Sequence, residues 1–193
     1  MPQNVKSTTT NFISEGQISD SVIDGLLDFW ETCDYIRKVS GEFGSGVNKS
    51  IKNSVDLPIP PFLSDKRISN FMDELNRVLN EYLEAFPYAR MAPMEVSEPF
   101  NIQWYPKAVG GYHRPHCERT GSHKVTAFRH LAWMTYLNTV NVGGETYWVH
   151  QDYKCAPVKG KTLIWPVDWT HVHHGLPAPN EEKIIATGWI SYT

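Results

Sequence analysis

The chain has 193 residues, 41% of them hydrophobic and 20% charged, with a formal net charge of −3. These values indicate one ordinary globular domain, 1–193, without an apolar run long enough for a transmembrane helix. No basic cluster stands out, so neither a nucleic acid nor a membrane is an expected partner. The polar N-terminus lacks the apolar core of a secretory signal, and three cysteines without paired spacing argue against a disulfide framework. A reducing, cytoplasmic compartment is therefore the expected location.

Two amphipathic segments in the first half of the chain predict helices. Residues 1–18 are polar and are expected to be extended or frayed. The N-cap signal Ser19 begins a helical apolar period that is expected to run to about residue 36. A stronger period begins after the expected cap Ser64 and reaches Phe86, before a proline. The second helix is expected to pack its apolar stripe on a sheet rather than on a partner protein.

Three other stretches are predicted to lack regular structure. Residues 40–50 and the polar, glycine-containing residues 119–128 are interpreted as surface loops that could close over a site. The proline-rich stretch Leu57–Pro61 is interpreted as an extended linker, because prolines cannot continue a helix.

Short apolar or alternating runs, split by glycines and prolines, recur every eight to twelve residues after residue 97. They predict strands at Phe100–Tyr105, Tyr112–His116, Leu131–Asn138, Glu145–Val149, Tyr153–Pro157, Thr162–Trp165, His171–His174 and Ile184–Ser191. Eight strands with turns between them predict an α+β fold: a sandwich or jelly roll, with two or more N-terminal helices packed on one sheet. In this reading residues 1–96 are a helical support layer and 97–193 the β-strand core.

Histidines and one carboxylate mark a candidate metal site at the two ends of the stretch 116–183. Residues two apart on a strand share a face, so His116 and Glu118 project together. His173 lies 55 residues after Glu118. Two histidines and one carboxylate are the ligand set of non-haem Fe(II) oxygenases. Spacing alone does not choose between His113 and His116, or among the later histidines, although the proline at +2 from His113 favours His116.

Four segments resemble the prolyl-4-hydroxylase-like branch of the Fe(II)/2-oxoglutarate-dependent oxygenases, most closely its small phage and marine-bacterial members. The resemblance covers roughly residues 97–193, and it implies that they form a jelly-roll catalytic core, a double-stranded β-helix of about eight strands. It lies in Tyr105–Glu118, in Tyr136–Thr146 with its Gly143-Gly144-Glu145, in Lys159–Pro166, and in the final stretch His173–Trp189 with Pro177 and Lys183.

The resemblance implies a ligand set and a binding site for the cosubstrate. The family carries a lysine or arginine about ten residues after its distal histidine, and Lys183 has that register with His173 rather than with His171. His116, Glu118 and His173 would then hold Fe(II). Lys183 would bind the far carboxylate of 2-oxoglutarate.

Further cosubstrate contacts follow from the same resemblance. Tyr105 is the implied hydroxyl donor to the 2-oxoglutarate carboxylate, and Trp189 would form a wall of its pocket. The chain departs from the family in having Glu118 where aspartate is usual. It also has Ala132 where some relatives carry a hydroxyl residue, a contact that Thr146 could supply instead.

The function that the resemblance implies is hydroxylation of a C–H bond by an Fe(II)- and 2-oxoglutarate-dependent dioxygenase, with release of succinate and CO₂. Its cofactors would be Fe(II), 2-oxoglutarate and O₂, with ascorbate as an accessory reductant. The substrate would be a prolyl or other side chain of a peptide or protein, or a small molecule. If the gene is phage-borne, the compartment would be the host cytoplasm. The sequence carries no prediction of oligomeric state.

Two alternatives of a different class stay open at this point. One is a non-catalytic jelly-roll module, structural or carbohydrate-binding, whose histidine cluster is structural. The other is a zinc-binding or cupin-like enzyme that uses the same three ligands without 2-oxoglutarate. The register of Lys183 argues against both, because neither needs an interior cation at that place.

Overall fold

A computed structural model describes residues 11–43, 46–121 and 123–193. Its α-helices are α1 (Asp20–Thr32), α2 (Lys66–Ala85) and α3 (Lys124–Ala127), and short 3-10 helices span Pro87–Arg90 and Trp169–His171. The strands are β1 (Ser14–Gln17), β2 (Val39–Ser40), β3 (Lys52–Asn53), β4 (Val55–Ile59), β5 (Met94–Glu95), β6 (Phe100–Tyr105), β7 (Gly111–Tyr112), β8 (Arg129–Tyr136), β9 (Thr146–Trp148), β10 (Tyr153–Cys155), β11 (Lys161–Pro166), β12 (His173–Gly175) and β13 (Lys183–Tyr192). Among these helices, none is both long and apolar enough to cross a bilayer.

Two facing antiparallel sheets form the body of the protein. The larger sheet has the order β1-β11-β8-β13-β6-β4-β2, with β5 also paired to β13, and the smaller one has the order β10-β9-β12. A separate ladder joins β3 to β7. The central strands come from distant parts of the chain, as expected of a jelly roll. The predicted fold class, helices on a jelly roll of about eight core strands, is confirmed.

Strand alternation sends successive residues of the large sheet to opposite layers. In β8, Leu131 and Trp133 belong to the cluster that packs against the helices. Their neighbours Ala132, Met134 and Tyr136 belong to a second cluster on the other face, towards the small sheet. The large sheet therefore separates a helix-covered core from an interior in which side chains can line a cavity.

The long helix α2 buries its apolar stripe on the outer face of the large sheet. The ring of Phe71 lies 5.7 Å from that of Trp133 and 6.1 Å from that of Phe100, measured between centroids. A Cβ atom at Gly188 would lie 2.7 Å from the Trp133 ring, so glycine lets the ring pack on β13. This layer supports the central strands and leaves the opposite face for chemistry.

The N-terminal half contributes more strand than the sequence indicated. Part of the stretch 1–18 is not frayed, because Ser14–Gln17 pairs with β11 at the sheet edge; residues 1–10 lie outside the described part. The expected linker Leu57–Pro61 is wrong over most of its length, since Val55–Ile59 pairs with β6. Pro58 is tolerated there because the other neighbour, β2, pairs only as far as Asp56, so its missing N–H breaks no bond on that side.

Helix boundaries also differ from the predicted ones. The first helix ends at Thr32 rather than near residue 36. The N-cap of α2 is Asp65 rather than Ser64, and the Asp65 side chain accepts a hydrogen bond from the backbone N–H of Arg67. A carboxylate satisfies the otherwise free N–H groups of a first helical turn as well as a hydroxyl does, so the two neighbouring cap signals compete.

Candidate active site

Three predicted side chains meet at the mouth of the jelly roll. His116 and His173 form an antiparallel bridge with backbone N–H···O distances of 3.0 and 2.9 Å. Glu118 Oε1 lies 3.3 Å from Nε2 of His116 and 3.5 Å from Nε2 of His173. The three ligand atoms all lie within 4.8 Å of one another. The bridge brings together residues that are 55 positions or more apart in the sequence.

Backbone carbonyls set the tautomer of both histidines. His116 Nδ1 lies 3.0 Å from the carbonyl oxygen of Arg114, and His173 Nδ1 lies 3.0 Å from that of His171. A carbonyl only accepts, so each Nδ1 carries the proton and each Nε2 turns a lone pair to the centre. Burial lowers the pKa of His116, which keeps its imidazole neutral near pH 7.

The donor set fits a divalent transition metal. Two imidazole lone pairs and a carboxylate oxygen converge, and such a group is stable only around a cation or a shared proton. Burial works to raise the pKa of Glu118, but hydrogen bonds from the two imidazoles, when a ring nitrogen carries a proton towards Oε1, outweigh it and hold that pKa well below its usual range. A metal ion would take the place of that shared proton and bind the ionised carboxylate.

Trp189 orients the carboxylate ligand. Its indole Nε1 donates to Glu118 Oε2 at 2.8 Å, while Oε1 faces the histidines. The guanidinium of Arg129 lies 3.4 Å from the Trp189 ring centroid and 3.7 Å from Glu118 Oε2. Trp189 lines the cavity. Its hydrogen bond to a ligand was not foreseen, because sequence spacing does not show which side chains meet across β13.

Aromatic rings enclose both histidines. Tyr112 stacks on His116 with centroids 3.7 Å apart. The rings of Trp148 and Trp165 lie 5.9 and 5.1 Å from that of His173. Tyr112 and Trp165 lie within the motifs that resemble the oxygenase family, but the packing of these rings and of Trp148 on the histidines was not predicted from the sequence. The aromatic rings pack against the imidazole rings and restrict their rotation.

Lys183 is a buried cation with no carboxylate within 4 Å among the described residues, although the charge of Glu145 acts on it from further away. Its side chain is 3% exposed, and Nζ donates to the carbonyl oxygens of Gly144 at 2.9 Å and Leu176 at 3.4 Å. Burial lowers its pKa to about 8. Two carbonyls only partly offset the cost of burying an ammonium, so the site favours an anionic ligand.

Tyr105 and Thr146 lie near Lys183 on the cavity wall, but their hydroxyl groups differ. The Tyr105 hydroxyl donates to Gln103 Oε1 at 2.6 Å, and burial raises its pKa well above the usual range. The one proton of the Tyr136 hydroxyl has two acceptors, Thr146 Oγ1 at 2.9 Å and the Cys155 carbonyl at 3.1 Å. When Tyr136 donates to Thr146, the Thr146 proton faces the weakly accepting sulfur of Met134 at 3.8 Å. Thr146 can therefore donate to a ligand, whereas the proton of Tyr105 is already used.

One cavity of about 890 Å³ connects these groups. Lys183, Thr146 and Met134 line its inner end, and the three candidate ligands lie along its wall. Other lining residues are Val39, Ser40, Glu42, Phe43, Arg114, Thr120 and Thr126. Both expected loops thus contribute to the cavity, and the second one contains the short helix α3.

Some expected placements around the site differ from the structure. His116 lies beyond the end of β7 and joins His173 by an isolated bridge, not by a continuous strand. His171 belongs to a 3-10 helix and not to the strand of His173, so the two do not share a strand face. Its Nε2 contacts the backbone carbonyl of Asn11, away from the three ligands. The turn between the 3-10 helix and β12 therefore leaves His171 with a backbone contact and places His173 among the candidate metal ligands.

Comparisons with known proteins agree with this geometry. Residues 100–191 match the model of the 2OG-Fe(II) oxygenase superfamily. Prolyl 4-hydroxylase subunit alpha-3 of Mus musculus is 24% identical over 117 residues, which cover 53% of this chain and 22% of that protein. The chain therefore spans about a fifth of the length of this curated relative.

Two solved structures share the fold. A viral collagen prolyl hydroxylase from Paramecium Bursaria Chlorella virus-1, in its 2OG complex, superposes with a TM-score of 0.69 at 19% identity, covering 94% of this chain and 97% of that one. A prolyl hydroxylase from Trichoplax adhaerens, in complex with a hypoxia inducible factor peptide fragment, has a TM-score of 0.70 at 17% identity, with coverages of 95% and 84%. The resemblance expected from the sequence motifs is confirmed: residues 100–191 are similar to the 2OG-Fe(II) oxygenase superfamily, and the fold is shared with solved prolyl hydroxylases.

Proposed function

We propose that this protein is an Fe(II)- and 2-oxoglutarate-dependent dioxygenase that hydroxylates a C–H bond. The observation that carries the proposal is the combination, in one cavity, of a two-histidine, one-carboxylate cluster with a buried ammonium that has no carboxylate partner in the described chain. The structural-module alternative leaves the burial of Lys183 without a reason. A zinc enzyme would use the cluster but not the inner cation.

Each group has a separate task in this proposal. His116, Glu118 and His173 would hold Fe(II), with Trp189 fixing the second oxygen of Glu118. Lys183 and Thr146 would bind the far carboxylate of 2-oxoglutarate. The bound metal supplies the oxidative chemistry, in which 2-oxoglutarate, O₂ and R–H give succinate, CO₂ and R–OH. The protein contributes binding, orientation and the exclusion of water.

Anaerobic addition of Fe(II) and 2-oxoglutarate tests the assignment. We expect a weak visible charge-transfer band that His116→Ala and His173→Ala abolish. His174→Ala is the matched control, because His174 neighbours a ligand but lies outside the cluster. Absence of the band in the unaltered protein, or its survival in both ligand variants, would contradict the proposal.

For the substrate, we propose a peptide or protein side chain, with prolyl as the first candidate. The support is the likeness to prolyl hydroxylases, one of them solved with a peptide fragment, together with a cavity that extends past the metal site to Phe43 and Arg114. Succinate release should be compared between proline-containing peptides, free proline and other small molecules. Turnover with small molecules alone would overturn the peptide assignment and leave the dioxygenase assignment in place.

A further inference from the structure

A buried polar chain lies on the cavity wall beside the proposed cosubstrate site. Lys52 Nζ is 2.6 Å from Asp56 Oδ2, and both side chains are less than 10% exposed. Asp56 pairs in register with Gln103 across β4 and β6, and Gln103 contacts Tyr105 two residues further along the strand. All four residues line the cavity. Lys52, Asp56 and Gln103 have no role in the proposed binding of Fe(II) and 2-oxoglutarate described above.

The direction of each hydrogen bond in this chain is determined. Asp56, paired with Lys52, is a carboxylate that only accepts; Ser54 Oγ donates to Oδ1 at 2.7 Å, and Gln103 Nε2 donates to Oδ2 at 3.3 Å. The amide nitrogen of Gln103 must therefore face Asp56, and its oxygen must face Tyr105. Tyr105 has one proton, and it donates that proton to Gln103 Oε1 at 2.6 Å.

The segment before β3 shields this chain from water. Gly41 donates its backbone N–H to the Ser54 carbonyl at 2.9 Å. A Cβ atom at Gly41 would lie 2.1 Å from Ser54 Oγ and 3.3 Å from Asp56 Oδ1, so only glycine allows this close approach. Hydrogen bonds in such a low-dielectric place are stronger than in water, and an unpaired group is costly. The amide orientation of Gln103 is therefore held firmly.

We propose that Lys52, Asp56 and Gln103 form a positioning relay that sets the affinity for 2-oxoglutarate. The relay directs the Tyr105 proton away from the inner end of the cavity, so the 2-oxoglutarate carboxylate must compete with Gln103 for it. Lys183, which has one N–H beyond those that face the Gly144 and Leu176 carbonyls, and Thr146, whose proton faces a weak sulfur acceptor, remain as donors to the carboxylate. This inference rests on the proposed function, and it changes the implied role of Tyr105 from a ready donor to a restrained one.

The variant Gln103→Met tests the relay, because it removes the acceptor and leaves the Lys52–Asp56 pair intact. The dissociation constant of 2-oxoglutarate is measured by calorimetry on the Mn(II)-loaded protein without oxygen. We expect binding to tighten about two- to tenfold, the effect of one competing hydrogen bond. In a Tyr105→Phe background the same substitution should have no effect. Weaker binding, or an equal change in both backgrounds, would show that Gln103 supports the ring and does not direct the proton.

A second variant guards against a folding defect in the first. Lys52→Met combined with Asp56→Leu replaces the ion pair by apolar groups of similar size, a change that buried pairs often tolerate. Without Asp56, the Gln103 amide can turn its nitrogen to Tyr105, and we again expect tighter binding of 2-oxoglutarate. Unchanged binding in this folded double variant would overturn the relay.

Binding of 2-oxoglutarate to the unaltered protein and to Lys183→Ala distinguishes failure of the relay from failure of the proposed dioxygenase function. If the unaltered protein binds 2-oxoglutarate and Lys183→Ala weakens that binding, while neither relay variant tightens it, the relay is wrong and the proposed function stands. If the unaltered protein does not bind 2-oxoglutarate, both are wrong.

Discussion

The indole of Trp189 donates to Oε2 of Glu118 at 2.8 Å, so the candidate carboxylate ligand is held from both sides. Its other oxygen faces the two imidazoles at 3.3 and 3.5 Å. Arg129 stacks on the same indole, and its guanidinium also donates to the Glu118 backbone carbonyl at 3.1 Å. A glutamate side chain has one more rotatable bond than an aspartate side chain. The hydrogen bond from Trp189 to Oε2 restricts rotation about that extra bond.

Replacing Trp189 with phenylalanine should weaken Fe(II) binding. The variant keeps an aromatic ring under Arg129 but removes the N–H donor to Glu118. Loss of a hydrogen bond to a metal ligand typically lowers metal affinity about 10- to 100-fold. Anaerobic Fe(II) titration measures the effect. Trp104→Phe is the matched control, since Trp104 donates its indole N–H to the exposed Glu182; equal affinities in the two variants would contradict the role of Trp189.

Shortening the carboxylate ligand should weaken metal binding without abolishing it. In Glu118→Asp the carboxylate withdraws by one methylene, so it keeps its charge but loses the fit between Trp189 and the two histidines. Glu118→Gln keeps the length and loses the charge, and it should bind Fe(II) more weakly than the aspartate variant. The reverse order in an Fe(II) titration would show that reach matters more than charge.

Substituting Lys183 should change cosubstrate affinity and fold stability in opposite directions. In Lys183→Ala, loss of a buried charge-assisted contact of about 2–5 kcal/mol should weaken 2-oxoglutarate binding at least thirtyfold, with Fe(II) affinity unchanged. In Lys183→Met the ligand-free protein should unfold at a higher temperature, because the desolvated ammonium is gone and its length is kept. A lower melting temperature for Lys183→Met would show that the carbonyl contacts fully compensate the burial.

Binding of 2-oxoglutarate should weaken as the pH rises above about 8. Burial lowers the pKa of Lys183 to about 8, so in the ligand-free protein the ammonium is lost above that pH. The dissociation constant should then rise by up to about tenfold per pH unit. Lys183→Arg stays charged throughout this range, and it should show a flat profile between pH 7.5 and 9.5. A parallel rise in both proteins would assign the dependence to another group.

The same pKa shift predicts how stability depends on pH. The folded-state pKa of Lys183 lies below the unfolded value of 10.5, so the unfolded chain binds more protons between the two. The Lys183 contribution to the free energy of unfolding should therefore be least favourable below pH 8 and should increase towards pH 10.5. Denaturant titrations across this pH range give the free energies of unfolding of the ligand-free protein and of Lys183→Met. We expect Lys183→Met to be the more stable at pH 8, and the difference between the two free energies to shrink as the pH rises.

Local sequence patterns predicted individual strands and the spacing of candidate site residues that lie close together in the chain. The bounds of Phe100–Tyr105 were predicted as they occur, because an alternating run bounded by Pro106 and by the loop before it determines its own strand. The placement of Glu118 two residues after His116, and of Lys183 ten residues after His173, is likewise a property of short stretches. Such patterns depend on periodicity and register, which the sequence contains directly.

Contacts between segments far apart in the chain were decided only by the tertiary structure. Spacing alone left His171 and His173 open, and the register of the family resemblance favoured His173; the structure supplies the physical reason, because His171 lies in a 3-10 helix and only His173 reaches Glu118. The pairing of Asp56 with Gln103 joins a proline-containing strand, which had the composition of a linker, to the cavity wall. Strand partners, hydrogen-bond directions and burial are set by the packing of the whole domain, because each is a competition between groups from different parts of the chain.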